Sequence, residues 1–292
     1  MPQHDTAQKT VLAKRTHLTA PGDKTKHKRM AILPALSPLI RNLQSPPMPK
    51  YCVIIPAAGK AERFGGAEKK TFAKIDGRPV FLRTLEHFIS RPDVCQTILA
   101  VAPEDMSTMK SSYGPNLGFM GVMLVEGGAR RCDTVAAALP SVSDQADYIA
   151  VHDVARPCVS AAMIDAVFAE AVKTGAAILA APLVGTIKRV AASMVIEETA
   201  SRAGLYEAQT PQVFRKEVLL NAYRKLAERG GEEITDDAQL VELSGHPVSV
   251  VVSDATNLKI TTKADLTLAH AILKSRPVKA VPRMGAFEEA QW

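Results

Sequence analysis

Residues 51–75, YCVIIPAAGKAERFGGAEKKTFAKI, decide the fold. The apolar run from Cys52 to Ile55 is short and β-branched and stops at Pro56, the pattern of a strand buried on both faces of a parallel sheet. Ala57, Ala58 and Gly59 follow, and Lys60, Arg63, Lys69 and Lys70 then sit among Gly65, Gly66 and small side chains. Glycine lets backbone N–H groups converge on phosphate oxygens, and the cations add charge. Open α/β sheets place ligands at the carboxyl ends of their strands, so this turn suits an anion. A solvated basic turn is the plainer reading of the same residues. The stretch contains no GxxxxGK[ST], and no GxGxxG follows the strand, so it is neither a P-loop nor a dinucleotide fingerprint.

Outward from there, strands and helices alternate. Val80, Leu82, Leu85, Phe88 and Ile89 recur at helical spacing, and TILAVAP (Thr97 to Pro103) and Val122 to Val125 read as the second and third strands. A short helix from Glu104 and a turn at Gly114-Pro115-Asn116 are expected between them. The run from Tyr148 ends at Asp153, and a helix over AAMIDAVFAEAV and a strand ending at Pro182 follow. Strand–helix–strand repeats of this length predict an α/β fold, Rossmann-like, with a mostly parallel sheet.

Beyond Pro182 the rhythm breaks. Alternation at Thr186 to Val190 and Val195 to Glu198 predicts an inserted β-arm at about 184–209, which has no core of its own and must lean on something else. A helix over Lys216 to Arg229, a second after Thr235-Asp236, a strand from Val248 to Val252 and a helix from Asp265 to Leu273 complete the pattern. The expected organisation is a basic, mostly disordered leader over 1–47, one domain over 48–275 and a loose tail over 276–292. Met48 sits just before the first strand, so residues 1–47 read equally as a miscalled start, a targeting extension or a tail.

The net charge of +6 is a property of the leader. Residues 1–47 hold eight Lys/Arg against Asp5 and Asp23, and the rest of the chain is balanced, which removes the case for a nucleic-acid partner. A hydrophobic content of 47% describes a globular chain with a sizeable core, and no apolar stretch is long enough to span a membrane. Cys52, Cys95, Cys132 and Cys158 form no CxxC pair and have no histidine at ligand spacing; Cys52 and Cys95, in or beside core strands, read as small hydrophobes, and a reducing cytoplasm fits.

Two further stretches carry chemistry. In EGGARRCDTVAAAL (Glu126 to Leu139), two glycines and two arginines precede a helix that Asp133 or Thr134 could cap, with Arg130 and Arg131 simply solvated. YIAVHDVARPCVS ends a buried strand on Asp153, a costly place for a carboxylate unless a cation meets it, and Mg²⁺ on nucleotide phosphates would do so. The chain shows no Ser-His-Asp or Cys-His arrangement. Positive charge without a nucleophile suits phosphoryl or nucleotidyl transfer.

PAAGKAER with Lys70 behind it resembles PAAGxGxRxxxxxPK, the signature loop of nucleotide-sugar and nucleotide-polyol pyrophosphorylases, and VHDVARP resembles the second signature, VHDAARP. The chain is most similar to the 2-C-methyl-D-erythritol 4-phosphate cytidylyltransferase family, over about residues 50–275. Ala61 stands where that family has its second glycine and Lys69 where it has proline, which opens the possibility of a weakened or retuned member. The resemblance implies that CTP and 2-C-methyl-D-erythritol 4-phosphate react directly, releasing pyrophosphate. Pro56, Ala57, Ala58, Gly59, Gly128, Asp133 and Thr134 would bind CTP. Arg63, Lys70 and Lys259 would be catalytic, holding phosphates. Asp153 would hold Mg²⁺ and place the substrate phosphate, with His152 and Arg156 organising it. Thr235, beside Asp236, would contact substrate, and Thr186 and Arg202 would reach across a homodimer formed through the arm. Alternatives within the same signatures are a cytidylyltransferase for another polyol phosphate such as ribitol 5-phosphate, a sugar-phosphate nucleotidyltransferase using another base, and a non-catalytic nucleotide-binding module. A dinucleotide-dependent oxidoreductase lacks its glycines here.

Overall fold

In this computed structural model, residues 48–59, 64, 69, 71–229 and 233–276 are described. The first strand, β1 (Tyr51–Ala57), is central because both of its faces are covered. Val53 and Ile55 pack into one apolar cluster while Cys52 and Ile54 pack into another, and all four are fully buried. Alternation in direction without alternation in polarity is what a strand buried on both faces shows. Each such aliphatic side chain contributes roughly 1.5–3 kcal/mol.

A two-stranded ribbon, β2 (Lys74–Ile75) and β3 (Arg78–Pro79), leads into α1 (Val80–Ile89), whose Phe81, Leu85 and Phe88 are fully buried. β4 (Val94–Val101), α2 (Pro103–Phe119) and β5 (Val122–Glu126) follow, with β4 and β5 parallel to β1. The expected turn at Gly114-Pro115-Asn116 is instead the last part of α2, which runs through Pro115 and stops at Gly121, where φ is +66°. Met109 and Leu117, buried on the sheet side, bracket the proline, so packing holds the helix on against local propensity.

Helix α3 (Arg131–Ala138) carries the chain back to β6 (Tyr148–Val151), which pairs with the other edge of β1. β4 and β6 therefore flank β1, and the winding reverses there, which is where such sheets bind ligands. α4 (Ala161–Thr174) is capped by the Ser160 hydroxyl and ends at Gly175 with φ +86°, a left-handed conformation that suits glycine. Then come β7 (Ala176–Pro182), a separate hairpin of β8 (Ile187–Val190) and β9 (Ile196–Ala200), β10 (Tyr206–Arg215), α5 (Lys216–Arg229), α6 (Asp237–Leu243), β11 (Ser249–Val252) and α7 (Lys263–Ser275).

The seven-stranded sheet has the order β11-β7-β10-β6-β1-β4-β5, and β10 alone runs antiparallel to its neighbours. Helices α1, α2 and α4 cover one face and α3, α5 and α6 the other. A third, smaller cluster joins Phe64, Ala73 and Ile75 to Ile260 and to Ala269 of α7, tying the turn after β1 to the last helix. The domain is thus a Rossmann-like α/β sandwich with a mostly parallel sheet. Among the described residues, no helix is long and apolar enough to cross a membrane. The leader over 1–47, and the tail apart from Arg276, lie outside the described residues.

Candidate active site

Pro56, Ala57, Ala58 and Gly59, leaving the end of β1, form one wall of a cavity of about 180 Å³. The opposite wall is the approach to α3, with Ala129, Arg130, Arg131 and Thr134, and the floor holds Asp153, Val154 and Ala155 beyond β6, with Thr71 and Lys259 at the sides. Two glycines let these walls meet. A Cβ on Gly127 would lie 2.7 Å from Thr134 Cγ2 and 2.8 Å from Ala58 Cβ, and one on Gly128 would lie 2.5 Å from Asp133 Cβ. The Thr134 hydroxyl donates back to the carbonyls of Arg130 and Gly128 at 3.0 and 3.1 Å, which fixes the first turn of α3. Asp133 accepts from the Arg130 backbone and pairs with its guanidinium at 2.8 Å, so it caps the helix and does not line the cavity.

Asp153 is buried and surrounded by cations. Arg131 Nε reaches Oδ1 at 3.1 Å, Lys259 Nζ reaches Oδ2 at 2.7 Å, and Arg156 Nε stands 3.6 Å from Oδ2. Burial alone would raise its pKa, but Arg131, then Lys259 and Arg156, outweigh it and hold the carboxyl far below the usual carboxylate range. Its backbone N–H donates to Thr210 Oγ1 at 3.0 Å. That hydroxyl lies 3.0 Å from His152 Nδ1, and His152 Nε2 lies 3.1 Å from the Arg156 carbonyl. A carbonyl only accepts, so Nε2 carries the proton, Nδ1 is bare, and the Thr210 hydroxyl donates to it. One chain of hydrogen bonds thus runs from Asp153 through Thr210 and His152 to Arg156.

Arg131 is not solvated, contrary to the plain reading of its sequence context. Besides Asp153 it reaches Asp237 Oδ2 through Nη1 at 2.7 Å. Asp237 is 1% exposed, and its Oδ1 accepts from the Tyr223 hydroxyl at 2.6 Å. Arg131, Arg156 and Lys259 against Asp153 and Asp237 leave an excess of positive charge beside the cradle. Thr210 lies in the TPQ stretch (Thr210-Pro211-Gln212) that resembles a family segment, and Asp237 in the TDD start of a helix, but the sequence assigns neither a role in the site, and Tyr223 carries no signal.

Of the expected nucleotide-binding residues, Pro56, Ala57, Ala58, Gly59 and Thr134 line the cavity, as do Asp153 and Lys259. Arg63 and Lys70, with Lys60 and Ala61, lie outside the described residues. Thr186 and Arg202 are exposed on the arm, where the Arg202 guanidinium donates to the Val184 carbonyl. Thr235 is exposed and donates to Gln239 Oε1 at 2.9 Å; none of these three lines the cavity.

Among the described residues that line the cavity, a divalent ion would find one carboxylate, Asp153. Among the described residues no three His, Cys, Asp or Glu side chains converge as a cage, and Asp153 is already shared with cations. That donor set fits an ion that arrives on nucleotide phosphates, as Mg²⁺ does, and not a resident one.

A site with excess positive charge, a small-residue cradle and, among the described residues, no activated nucleophile beside Asp153 handles phosphate chains by positioning and charge. Such a site at the winding reversal of a Rossmann-like sheet defines a nucleotidyltransferase. The family described as 2-C-methyl-D-erythritol 4-phosphate cytidylyltransferase (IspD) matches residues 51–275. The enzyme of that name from Rhodopirellula baltica is 44% identical over 232 residues, 76% of this chain and 93% of that protein. The one from Dechloromonas aromatica is 39% identical over 235 residues, 78% of this chain and all (100%) of that protein. The crystal structure of the Thermus thermophilus enzyme superposes with a TM-score of 0.64 at 34% identity, covering 77% of this chain and 99% of its own. The chain belongs to the 2-C-methyl-D-erythritol 4-phosphate cytidylyltransferase family.

Proposed function

We infer that the protein transfers a cytidylyl group from CTP to 2-C-methyl-D-erythritol 4-phosphate, yielding 4-diphosphocytidyl-2-C-methyl-D-erythritol and pyrophosphate. Family membership supports the substrates. The observation that supports the chemistry is the Asp153 carboxylate, which lines the cavity paired with Arg131 and Lys259. A phosphate oxygen of the acceptor attacks the α-phosphorus of CTP, and the bond from that phosphorus to the bridging oxygen breaks opposite it, releasing pyrophosphate. The attacking oxygen is already anionic, so no general base is needed. Catalysis consists of aligning two anions and neutralising charge on the transferring phosphorus and leaving group.

In this reading the residues from Pro56 to Gly59 and Thr134 line the nucleotide site, while Gly128 and Asp133, which do not line the cavity, set the first turn of α3 behind it. Arg63 and Lys70 hold the triphosphate, Lys259 meets phosphate, and Asp153 orients the cations around it. Asp153 together with phosphate oxygens would hold Mg²⁺, which supplies positive charge across the phosphates. Thr186 and Arg202, with Thr235, grip the acceptor, the first two from a partner protomer. Support for a homodimer comes from the arm, a two-stranded sheet with Met194, Val195 and Ile196 at 83%, 63% and 57% exposure, which is more apolar surface than a lone hairpin keeps in water. Four free thiols suit a reducing compartment, the cytoplasm.

The test is pyrophosphate release with CTP, UTP and ATP crossed against 2-C-methyl-D-erythritol 4-phosphate and ribitol 5-phosphate. Turnover is expected for CTP with the methylerythritol phosphate. Preference for ribitol phosphate, or CTP binding without release on any acceptor, overturns the assignment. Val195→Asp combined with Ile196→Asp is expected to give monomers by sedimentation; an unchanged dimer would remove the arm from the interface.

A further inference from the structure

Tyr223 and Asp237 are nearly excluded from solvent, belong to α5 and α6, and do not line the cavity. They nevertheless end a continuous run of short contacts into it. Tyr223 OH donates to Asp237 Oδ1 at 2.6 Å, Arg131 Nη1 donates to Asp237 Oδ2 at 2.7 Å, and Arg131 Nε donates to Asp153 Oδ1 at 3.1 Å. The acid is anchored from behind as well, because Gln212 Oε1 accepts from the backbone N–H of Asp237 at 3.0 Å while its Nε2 donates to Asp236 at 2.8 Å. Burial, then Asp237, push the Tyr223 phenol far above its ordinary pKa, so it remains a donor.

The guanidinium in the middle is not fully satisfied. Among the described residues, Arg131 Nη2 is buried with no hydrogen-bond partner, although the same side chain lines the cavity. An arginine free to choose would rotate to use that donor, since a buried unsatisfied donor is costly. Two carboxylates, 84 residues apart in sequence and held by different elements, keep it where it is. With Arg131 held by Asp237 at its other end, Asp153 cannot turn its Oδ1 away without giving up the contact with the guanidinium.

We propose that Asp237 and Tyr223 are positioning residues for the transfer reaction, acting through Arg131 to fix the orientation of Asp153 and to keep the guanidinium from swinging onto the bound phosphates. The proposal rests on the reaction inferred above. It places two buried groups behind the cavity in control of the rate without contact to substrate. Releasing Arg131 leaves its charge in the cavity, so nucleotide affinity is retained while alignment is lost.

The experiment measures kcat by pyrophosphate release, Kd for CTP by calorimetry and Tm for the full chain, in wild type, Tyr223→Phe, Arg131→Lys and the double variant. Tyr223→Phe removes one hydroxyl and is expected to lower kcat about tenfold, the loss of one hydrogen bond to a charged group, with Kd for CTP changed less than about threefold. Arg131→Lys keeps the charge and loses the fork. In that background Tyr223→Phe is expected to leave kcat unchanged while its Tm cost persists, and Asp237→Asn serves as a second probe of the same link. Unchanged kcat in Tyr223→Phe overturns the proposal, as does an equal loss of kcat in both backgrounds, because a merely structural tyrosine would show no dependence on Arg131. A wild type that releases no pyrophosphate overturns the reaction and this proposal with it; an active wild type with indifferent variants overturns the proposal alone.

Discussion

The Lys259 ammonium lies 2.7 Å from Asp153 Oδ2, while Arg131 holds the other oxygen. The two partners are unequal, because the Lys259 side chain is 36% exposed and that of Asp153 only 9%. Asp153→Asn leaves three cations facing a neutral amide, and a loss of about 3 kcal/mol in urea unfolding is expected. Lys259→Met leaves the acid with two arginines and is expected to cost less than about 1 kcal/mol, the range of a half-exposed pair. Its kcat/KM is expected to fall about 100-fold, because the lost charge faces phosphate. A larger stability loss for Lys259→Met than for Asp153→Asn would contradict this accounting.

His152 gives the fold a pH dependence whose sign is set by burial. Burial, with the nearby charges of His87 and Arg156, pushes its pKa from 6.5 down to about 3, against the opposing pull of the Arg156 carbonyl and Asp153. The unfolded chain therefore takes up a proton near pH 6.5 that the folded chain refuses until about pH 3. The stability from this group is complete above the first value and is lost as the pH falls toward the second. Unfolding free energies measured across that interval should decline, and His152→Gln should decline less steeply. Equal slopes for the two proteins would exclude His152 as the source.

Gly127 is held by space and not by backbone conformation. Gly127→Ala drives a methyl into Thr134 Cγ2 and Ala58 Cβ, at 2.7 and 2.8 Å, so the two walls of the cradle must part. An overpacking cost of about 1–3 kcal/mol is expected, with KM for CTP raised at least about tenfold. Adding Thr134→Ser, which removes Cγ2, should restore part of the affinity in a nucleotide titration.

Lys69 pins the turn after β1 to the start of α2. Its Nζ lies 2.8 Å from both Asp105 carboxylate oxygens and 3.2 Å from Glu104 Oε1, and its carbonyl accepts from Phe72 N–H at 2.9 Å. Thr71, two residues on, lines the cavity. An ionic tie stands where related signatures have proline, so Lys69→Ala should raise KM for CTP about threefold, while Lys69→Pro should stay near wild type and lose part of its salt dependence. Steady-state kinetics at low and high NaCl distinguish them.

Much of the site was legible because its signals are local. Cys52 to Ile55 announces a strand buried on both faces, Pro56 to Gly59 a close approach at its end, and Asp153 a carboxylate where packing would not put one. Arg131 was not legible, because two arginines before a helix read as solvated and its second partner, Asp237, lies 106 residues on. β10 escaped for a related reason: QTPQVF carries a proline and no alternation, and the pairing with β6 and β7 that makes it a central strand is entirely long-range. Gly114-Pro115-Asn116 has the composition of a turn, and buried neighbours on both sides overruled it.

β10 runs against the grain of the sheet, and its beginning is continuous with the hairpin of β8 and β9. A few residues further it passes beneath both acids, supplying the hydroxyl of Thr210 to one and the amide of Gln212 to the other. The strand that leaves the hairpin is therefore the same one whose side chains hold the main chain of both acids in place.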